Sequence, residues 1–338
     1  MEKFYIGCYS NKETSLPNAK GKGLSVVSLD SKTGILTQER VVETVDNPEY
    51  FYLNKKKGEL YVASERFTEF GEISILDSET LEVKSRVSSR GLSTCYVCYD
   101  ENTNRLLWCN YATGNICYHN LDDGKEGNLQ LEGSSINKER QSSPHPHFVA
   151  LFKNTIMVSD LGCDLIHILD RSCDDLKVIG GIVTPKGYGP RHMLIKSNKL
   201  YVICELVPKL LIYNYDSKSK SWTFEQELDN EKEEKMNVSN PAAIKMGKHN
   251  VLTTSNRFSD TLRQFKIFED DRVVDMKTIK LGGKCPRDFC FSKDGRWVLV
   301  PLQDSDCIEV YHIDSDGMIE DELVFVFETG TPVCAINI

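Results

Sequence analysis

The chain predicts an all-β fold, a seven-bladed β-propeller with four antiparallel strands per blade, and three observations predict it. A short turn recurs seven times, as NPEYF at Pro48, STCYV at Thr94, HPHFV at Pro146, GPRHM at Pro190, NPAAI at Pro241, CPRDF at Pro286 and TPVCA at Pro332. The gaps between these turns are 46, 52, 44, 51, 45 and 46 residues. Each of the first six is followed by a strand, a polar hairpin and further strands, and units of this size with four short strands are propeller blades. The third observation is that the chain's two ends are each incomplete and complement one another.

The second strands of the repeats read Glu59 to Ser64, Arg105 to Cys109, Thr155 to Ser159, Lys199 to Cys204, Asn250 to Ser255 and Arg296 to Leu302. The third strands read Glu72 to Leu76, Ile116 to His119, Leu165 to Leu169, Leu210 to Tyr213, Leu262 to Phe265 and Cys307 to Tyr311. β-Branched and aromatic residues fill these segments, while Asp, Asn, Lys and Gly cluster between them. A helical period is nowhere sustained. After Pro332 only one strand remains, Val333 to Ile338, and the N-terminus supplies three more at Phe4 to Tyr9, Leu24 to Leu29 and Ile35 to Val42. Pairing the last strand with the first closes the ring and leaves no open edge between the end blades.

One propeller uses all 338 residues as a single domain, 1–338, and no second domain is required. A chain of this length buries roughly three quarters of its unfolded surface. Its formal charge of −9 argues against nucleic acid as a partner, because that needs a basic footprint. Any anionic ligand must then meet locally placed arginines. No apolar run approaches the ~18 residues of a membrane span, and no signal peptide precedes the first strand. The twelve cysteines form no disulfide framework. Several fall inside strands, and Cys95 and Cys98, three apart on a strand, point to opposite faces and make a poor metal site. A reducing cytoplasm is the expected compartment. Three segments read as solvated loops: Ser10 to Lys22, Asn128 to Ser142, and the acidic stretch Gln226 to Asn240. The run Lys55 to Lys57 reads as a solvated hairpin tip.

In a hairpin, the start of the first strand lies beside the end of the second, so each turn sits next to whatever ends that blade's second strand. This pairs Pro48 with Glu65 and Arg66, Thr94 with Asn110 and Tyr111, and His145 and His147 with Asp160 and Asp164. It also pairs Arg191 and His192 with Glu205, Pro241 with Asn256 and Arg257, and Arg287 and Asp288 with Gln303. All lie on one face around the central channel, whereas the opposite hairpin tips hold only turn residues. A polar residue ending a strand often only begins the next turn, which is the plain reading of Asn110 and Gln303. Arginines, a histidine and a carboxylate converging on one channel mouth are costly to bury unless they are used.

The strings HPHF, SDLGCD, GYGPRH, ICEL, SNRFSD and CPRDF resemble the lactonase family of seven-bladed propellers, which includes propeller-type 6-phosphogluconolactonases and carboxymuconate lactonizing enzymes. The likeness runs from FYIGCYS to the closing strand; Thr94 departs from it in place of the blade-opening proline. The resemblance implies a carboxylic ester hydrolase or a cyclase acting on lactones of sugar acids or dicarboxylic acids. The histidine, arginine and glutamate proposed to act in the lactonizing relatives would fall on His147, Arg191 and Glu205, with a second arginine on Arg257. The expected substrate is a small anionic lactone, foremost 6-phosphogluconolactone in the pentose phosphate pathway, and no cofactor is expected.

Neither a G-x-S-x-G elbow nor a complete dinucleotide glycine motif is present, so water must attack the carbonyl directly with a general base and an oxyanion stabiliser. His147 or Glu205 is the expected base and Arg191 the stabiliser. Arg257 and Arg287 are the expected anion clamp, and His192, Asp160, Asn256, Gln303 and Asn110 complete the substrate-binding set. The same residues could serve lactone-forming cyclisation. Two other readings are a calcium-dependent lactonase using Glu65, Asn110, Asp160, Glu205, Asn256 and Gln303, which the interleaved arginines oppose, and a non-catalytic binding propeller. Nothing in the sequence sets an oligomeric state.

Overall fold

The computed structural model describes residues 1–173 and 175–338. Seven four-stranded antiparallel sheets follow one another around a ring. Blade 1 is Pro332–Asn337, Glu2–Cys8, Gly23–Leu29 and Leu36–Val42, so the C-terminal strand is the innermost of a sheet whose other strands come from the N-terminus. Blade 2 is Pro48–Asn54, Glu59–Ser64, Glu72–Asp77 and Val83–Ser88; blade 3 is Thr94–Asp100, Arg105–Asn110, Asn115–Asn120 and Glu126–Gln130. Blade 4 is Pro146–Phe152, Thr155–Asp160, Leu165–Asp170 and Val178–Val183; blade 5 is Pro190–Lys196, Lys199–Cys204, Lys209–Asp216 and Ser221–Asp229. Blade 6 is Asn240–Met246, Val251–Arg257, Thr261–Ile267 and Val273–Lys280; blade 7 is Cys290–Phe291, Trp297–Leu302, Cys307–Ile313 and Ile319–Glu328.

Strand periodicity explains where the core lies. Second strands such as LLWC in Arg105–Asn110 are buried on both faces, because each face meets a neighbouring blade. In the first blade Phe4, Ile6 and Cys8 pack with Trp297, Leu299 and Ile308 of blade 7, while Tyr5 and Tyr9 pack with Phe51, Leu60 and Val62 of blade 2. The hydrophobic core is thus divided into seven clusters, one at each blade-to-blade interface. Outer strands alternate poorly and are largely exposed, as in Leu36–Val42 and Ile319–Glu328. None of the twelve cysteines forms a disulfide among the described residues, and ten of them are buried.

Two segments differ from the solvated loops expected. In the polar stretch before blade 4, Asn128 to Gln130 belong to the outer strand of blade 3, and Gln141 is fully buried with its side-chain amide donating to the Leu161 carbonyl. In the acidic stretch, Gln226 to Asp229 extend the outer strand of blade 5, and Glu231 is buried, accepting a hydrogen bond from the Thr261 hydroxyl at 2.6 Å. Both segments are polar in sequence but satisfied internally, a tertiary outcome that hydropathy does not report.

Candidate active site

In every blade the inner strand pairs with the second strand at the turn residue and then slips by one residue. These first pairs are Pro48 with Ser64, Thr94 with Asn110, Pro146 with Asp160, Pro190 with Cys204, Pro241 with Asn256, Pro286 with Leu302 and Pro332 with Cys8. Such a bulge adds an unpaired residue and re-aims its side chain. The residue after the turn is Glu49, Cys95, His147, Arg191, Ala242, Arg287 or Val333. The residue after the second strand's paired end is Tyr9, Glu65, Tyr111, Leu161, Glu205, Arg257 or Gln303. Contacts between the two sets form the site at the channel mouth.

Its basic half lies across blades 5 and 6. Glu205, 3% exposed, receives Arg191 Nε at 2.9 Å, Arg257 at 2.7 Å and Arg140 at 2.6 Å. Burial pushes the Glu205 carboxyl up, but the guanidiniums of Arg257, Arg191 and Arg140 outweigh it and hold the group down at about 2. Arg191, 2% exposed, also donates to the Ala242 carbonyl, and burial together with Arg257 brings it down to about 10. Arg191 reaches this position through the turn before it: Gly187 and Gly189 have φ of +85° and +66°, and their N–H groups donate to the buried Asp164 carboxylate. A Cβ on Gly189 would lie 2.8 Å from Leu206.

The acidic half lies across blades 1, 2 and 7. Arg287 donates to Glu49 at 2.5 Å and stands 3.6 Å from Glu65. The Tyr9 hydroxyl lies against both carboxylates. His147 sits between the halves, 5% exposed, with the Tyr111 ring 5.6 Å away and its Nδ1 buried without a hydrogen-bond partner. Burial and the nearby Arg191 and Arg287 hold its imidazole well below the usual histidine value, so it is neutral.

Below the mouth, an arc of rings closes the channel: Tyr50 on Tyr96 at 4.4 Å, Tyr96 on Phe148 at 4.2 Å, and Phe148 on His192 at 4.8 Å. The Lys245 to Asp288 pair, 2.6 Å apart, completes this floor. His192, expected among the substrate-binding residues, is therefore a floor residue behind His147, their ring centroids 5.3 Å apart.

Three other expected ligand groups are directed into the fold. Asn110 accepts from Thr94 at 2.8 Å and donates to the Ser89 carbonyl at 2.8 Å. Asp160 accepts from the backbone N–H groups of His145 and Gly162 and meets His167 Nε2 at 3.0 Å. Asn256 donates to the Asn230 carbonyl at 2.9 Å and accepts from the Asn230 amide at 3.0 Å. All three are fully buried. They are the second-strand partners of the turn residues Thr94, Pro146 and Pro241, one position before the residues that reach the mouth, so they tie strands together, which corrects the binding role expected for them. The ring of oxygen donors imagined for calcium is consequently not assembled, since its remaining carboxylates Glu65 and Glu205 face guanidiniums. Gln303 stays at the mouth, half-buried, its amide donating to Asp304 and its carbonyl oxygen buried without a partner.

Two residues at this mouth were not among the site residues expected from the sequence. Glu49 was visible as the residue after a turn proline, in register with His147, Arg191 and Arg287. Arg140 was not: it comes from a loop without periodicity, held over the mouth by the buried Gln141 and by Ser135 donating to Asp164. A cavity of about 710 Å³ also lies between the outer parts of blades 4 and 5, lined by Phe152, Tyr215, Trp222 and Ile182 among others, but it carries no acid or base set.

Fold and site define a class, a seven-bladed propeller whose channel mouth holds arginines, carboxylates and a neutral histidine. The chain belongs to the lactonase family of seven-bladed β-propellers, which it matches over residues 3–336. The uncharacterized protein YwcC of Lactococcus lactis subsp. lactis is 27% identical over 322 residues, 92% of each chain. The 6-phosphogluconolactonase of Xenorhabdus nematophila is 26% identical over 312 residues, 89% of this chain and 90% of its own. Among solved structures, the periplasmic gluconolactonase PpgL of Pseudomonas aeruginosa shares the fold with a TM-score of 0.88 at 22% identity, covering 100% of this chain and 99% of its own. The fold thus also serves a periplasmic protein, and the cytoplasmic expectation rests on sequence alone. No helix among the described residues is long and apolar enough to cross a membrane.

Proposed function

We propose that this chain is a lactone hydrolase acting on a small phosphorylated or carboxylated sugar lactone, foremost 6-phosphogluconolactone. One observation carries the reading: of nine buried side-chain polar atoms with neither a hydrogen bond nor an ion pair among the described residues, four ring this channel mouth. They are Nδ1 of His147, Nε of Arg257, Nε of Arg287 and the carbonyl oxygen of Gln303, whereas Nε of Arg191 and a terminal nitrogen of Arg257 are held by Glu205. Buried polar groups are costly when unsatisfied, and a bound polar anion would satisfy these together. The names of relatives such as the Xenorhabdus 6-phosphogluconolactonase point the same way.

The residues divide the work by their chemistry. Arg257 and Arg287 offer N–H groups to the ligand's anion. Arg191, rigidly held, faces the oxygen on which charge develops during attack. Glu205 anchors the guanidiniums; a carboxyl held at about 2 is a feeble base, so the base role falls to neutral His147. An arriving anion cancels part of the field that depresses His147, so binding itself makes the imidazole more basic. Water activated there adds to the lactone carbonyl without a covalent nucleophile.

The test is the rate of 6-phosphogluconolactone opening above its spontaneous background, with His147→Ala and Arg191→Ala beside the unaltered protein, before and after chelation. Catalysis that is lost in both variants and indifferent to chelator supports the reading. A rate no faster than background would sink this substrate and move attention to other lactones and to lactone-forming cyclisation.

A further inference from the structure

The Tyr9 phenol oxygen carries one hydrogen, yet two carboxylate oxygens lie within hydrogen-bond reach of it: Glu49 Oε2 at 2.6 Å and Glu65 Oε2, closer still. One proton cannot bridge both contacts, and a second carboxylate oxygen against the phenol oxygen would only repel. Both glutamates are 5% exposed, so neither charge is relieved by water. The contacts become favourable when one carboxyl carries a proton of its own. We infer that Glu49 and Glu65 share a proton beside Tyr9, and that Glu65 donates it to the ring oxygen as the lactone opens.

The surroundings indicate which of the two holds the proton. Arg287 is 2.5 Å from Glu49 and 3.6 Å from Glu65, so the negative charge settles on Glu49 and the proton on Glu65. Burial and the charge of Glu49 push the Glu65 carboxyl up to about 7, against the pull of Arg287, Tyr9 and Arg191. The other groups facing the pair are the thiols of Cys95 and Cys334, both pushed up by burial and therefore neutral. Arg66, next in sequence, turns away to Glu69 at 3.0 Å and Glu72 at 3.7 Å. Two carboxyls sharing one proton are a recurring way of keeping an acid available near neutral pH.

This inference rests on the lactonase reading for its chemistry. Water oxygen bonds to the carbonyl carbon while its proton passes to His147. The bond from that carbon to the ring oxygen then breaks, the electron pair goes to the ring oxygen, and Glu65 protonates it. The new carboxylic acid ionises, one of the two remaining protons returns to Glu65, and the other leaves with the products. Glu49 is the positioning residue whose charge keeps Glu65 protonated, and Tyr9 is the positioning residue that holds the two carboxyls side by side.

Two measurements on the full chain separate the parts. The first is a pH titration by NMR with ¹³C-labelled glutamate carboxyls, in the unaltered protein and in Glu65→Gln and Tyr9→Phe. One carboxyl titrating far above the ordinary range, lost in Glu65→Gln and displaced in Tyr9→Phe, is the expected result. If every glutamate titrates normally, the shared proton is refuted. The second is the pH profile of 6-phosphogluconolactone opening. A donor must be protonated, so the rate should fall as pH rises through the value found for that carboxyl. Glu65→Gln should be roughly 100-fold slower and should lack this limb. A profile unchanged in Glu65→Gln overturns the donor role even if the proton is present. A displaced carboxyl in a protein that does not open 6-phosphogluconolactone upholds the shared proton and sinks that substrate, and with it the donor role in its opening. If Glu65→Gln does not fold, the unaltered protein and Tyr9→Phe decide both points, since their titration and rate limbs must move together.

Discussion

Glu205→Gln is the sharpest probe of the site, because the substitution keeps the side chain's shape and removes only its charge. Three guanidiniums converge on that carboxylate within 2.9 Å. They hold it from its ordinary value of 4.5 down to about 2. That displacement corresponds to about 3 kcal/mol of stabilisation. The sign follows from linkage: a depressed carboxyl stabilises the fold fully above its unfolded value and loses that contribution as pH falls through its folded one. At pH 7 the Gln variant should be less stable by about 3 kcal/mol, in line with breaking a buried ion pair. For a chain of this size that lowers Tm by roughly 4 °C. Thermal melts of both proteins at pH 7 and pH 3 are the assay. At pH 3 the unfolded carboxyl is already protonated, and the gap should shrink to about half or less. Added phosphate should raise Tm more in the variant, whose guanidiniums lack their counterion. A gap equal at both pH values would refute the view that this charge holds the arginines together.

Other outcomes follow from the same geometry. Arg191→Ala should lower kcat/KM for lactone opening by the equivalent of about 3 kcal/mol, the worth of one oxyanion donor; an unaltered value would remove Arg191 from the chemistry. Arg140→Ala leaves Arg191 and Arg257 on Glu205, so KM should change more than kcat, as steady-state kinetics would register. Asp160→Asn disturbs strand ties and not the mouth, so it should lower Tm while leaving the pH profile of the reaction in place. Gly189→Ala requires positive φ and a Cβ against Leu206, and a loss of about 1 kcal/mol or more is expected in denaturant melts.

Much of the architecture was legible in the chain itself. Strand periodicity, the seven turns and the two incomplete ends are local or repeating signals, and they specify seven blades and the closure of Pro332–Asn337 onto Glu2–Cys8. The same repeat placed His147, Arg191, Arg257, Arg287 and Glu205 on one face, because hairpin geometry ties a turn to the end of the next strand. Only the tertiary structure decided which polar residues enter the channel. A one-residue bulge in the inner strands turns Glu49, His147 and Arg191 to the mouth, while Asn110, Asp160 and Asn256, paired opposite the turn residues, tie the sheets together. Hydropathy is blind to a slip of that kind. Arg140 and Glu231 lie in polar segments with no period, and their places depend on partners far away in the chain. Protonation was decided there too: the charge on Glu205 comes from arginines gathered from separate blades and the neutrality of His147 from burial together with those arginines, and no single stretch of sequence contains that environment.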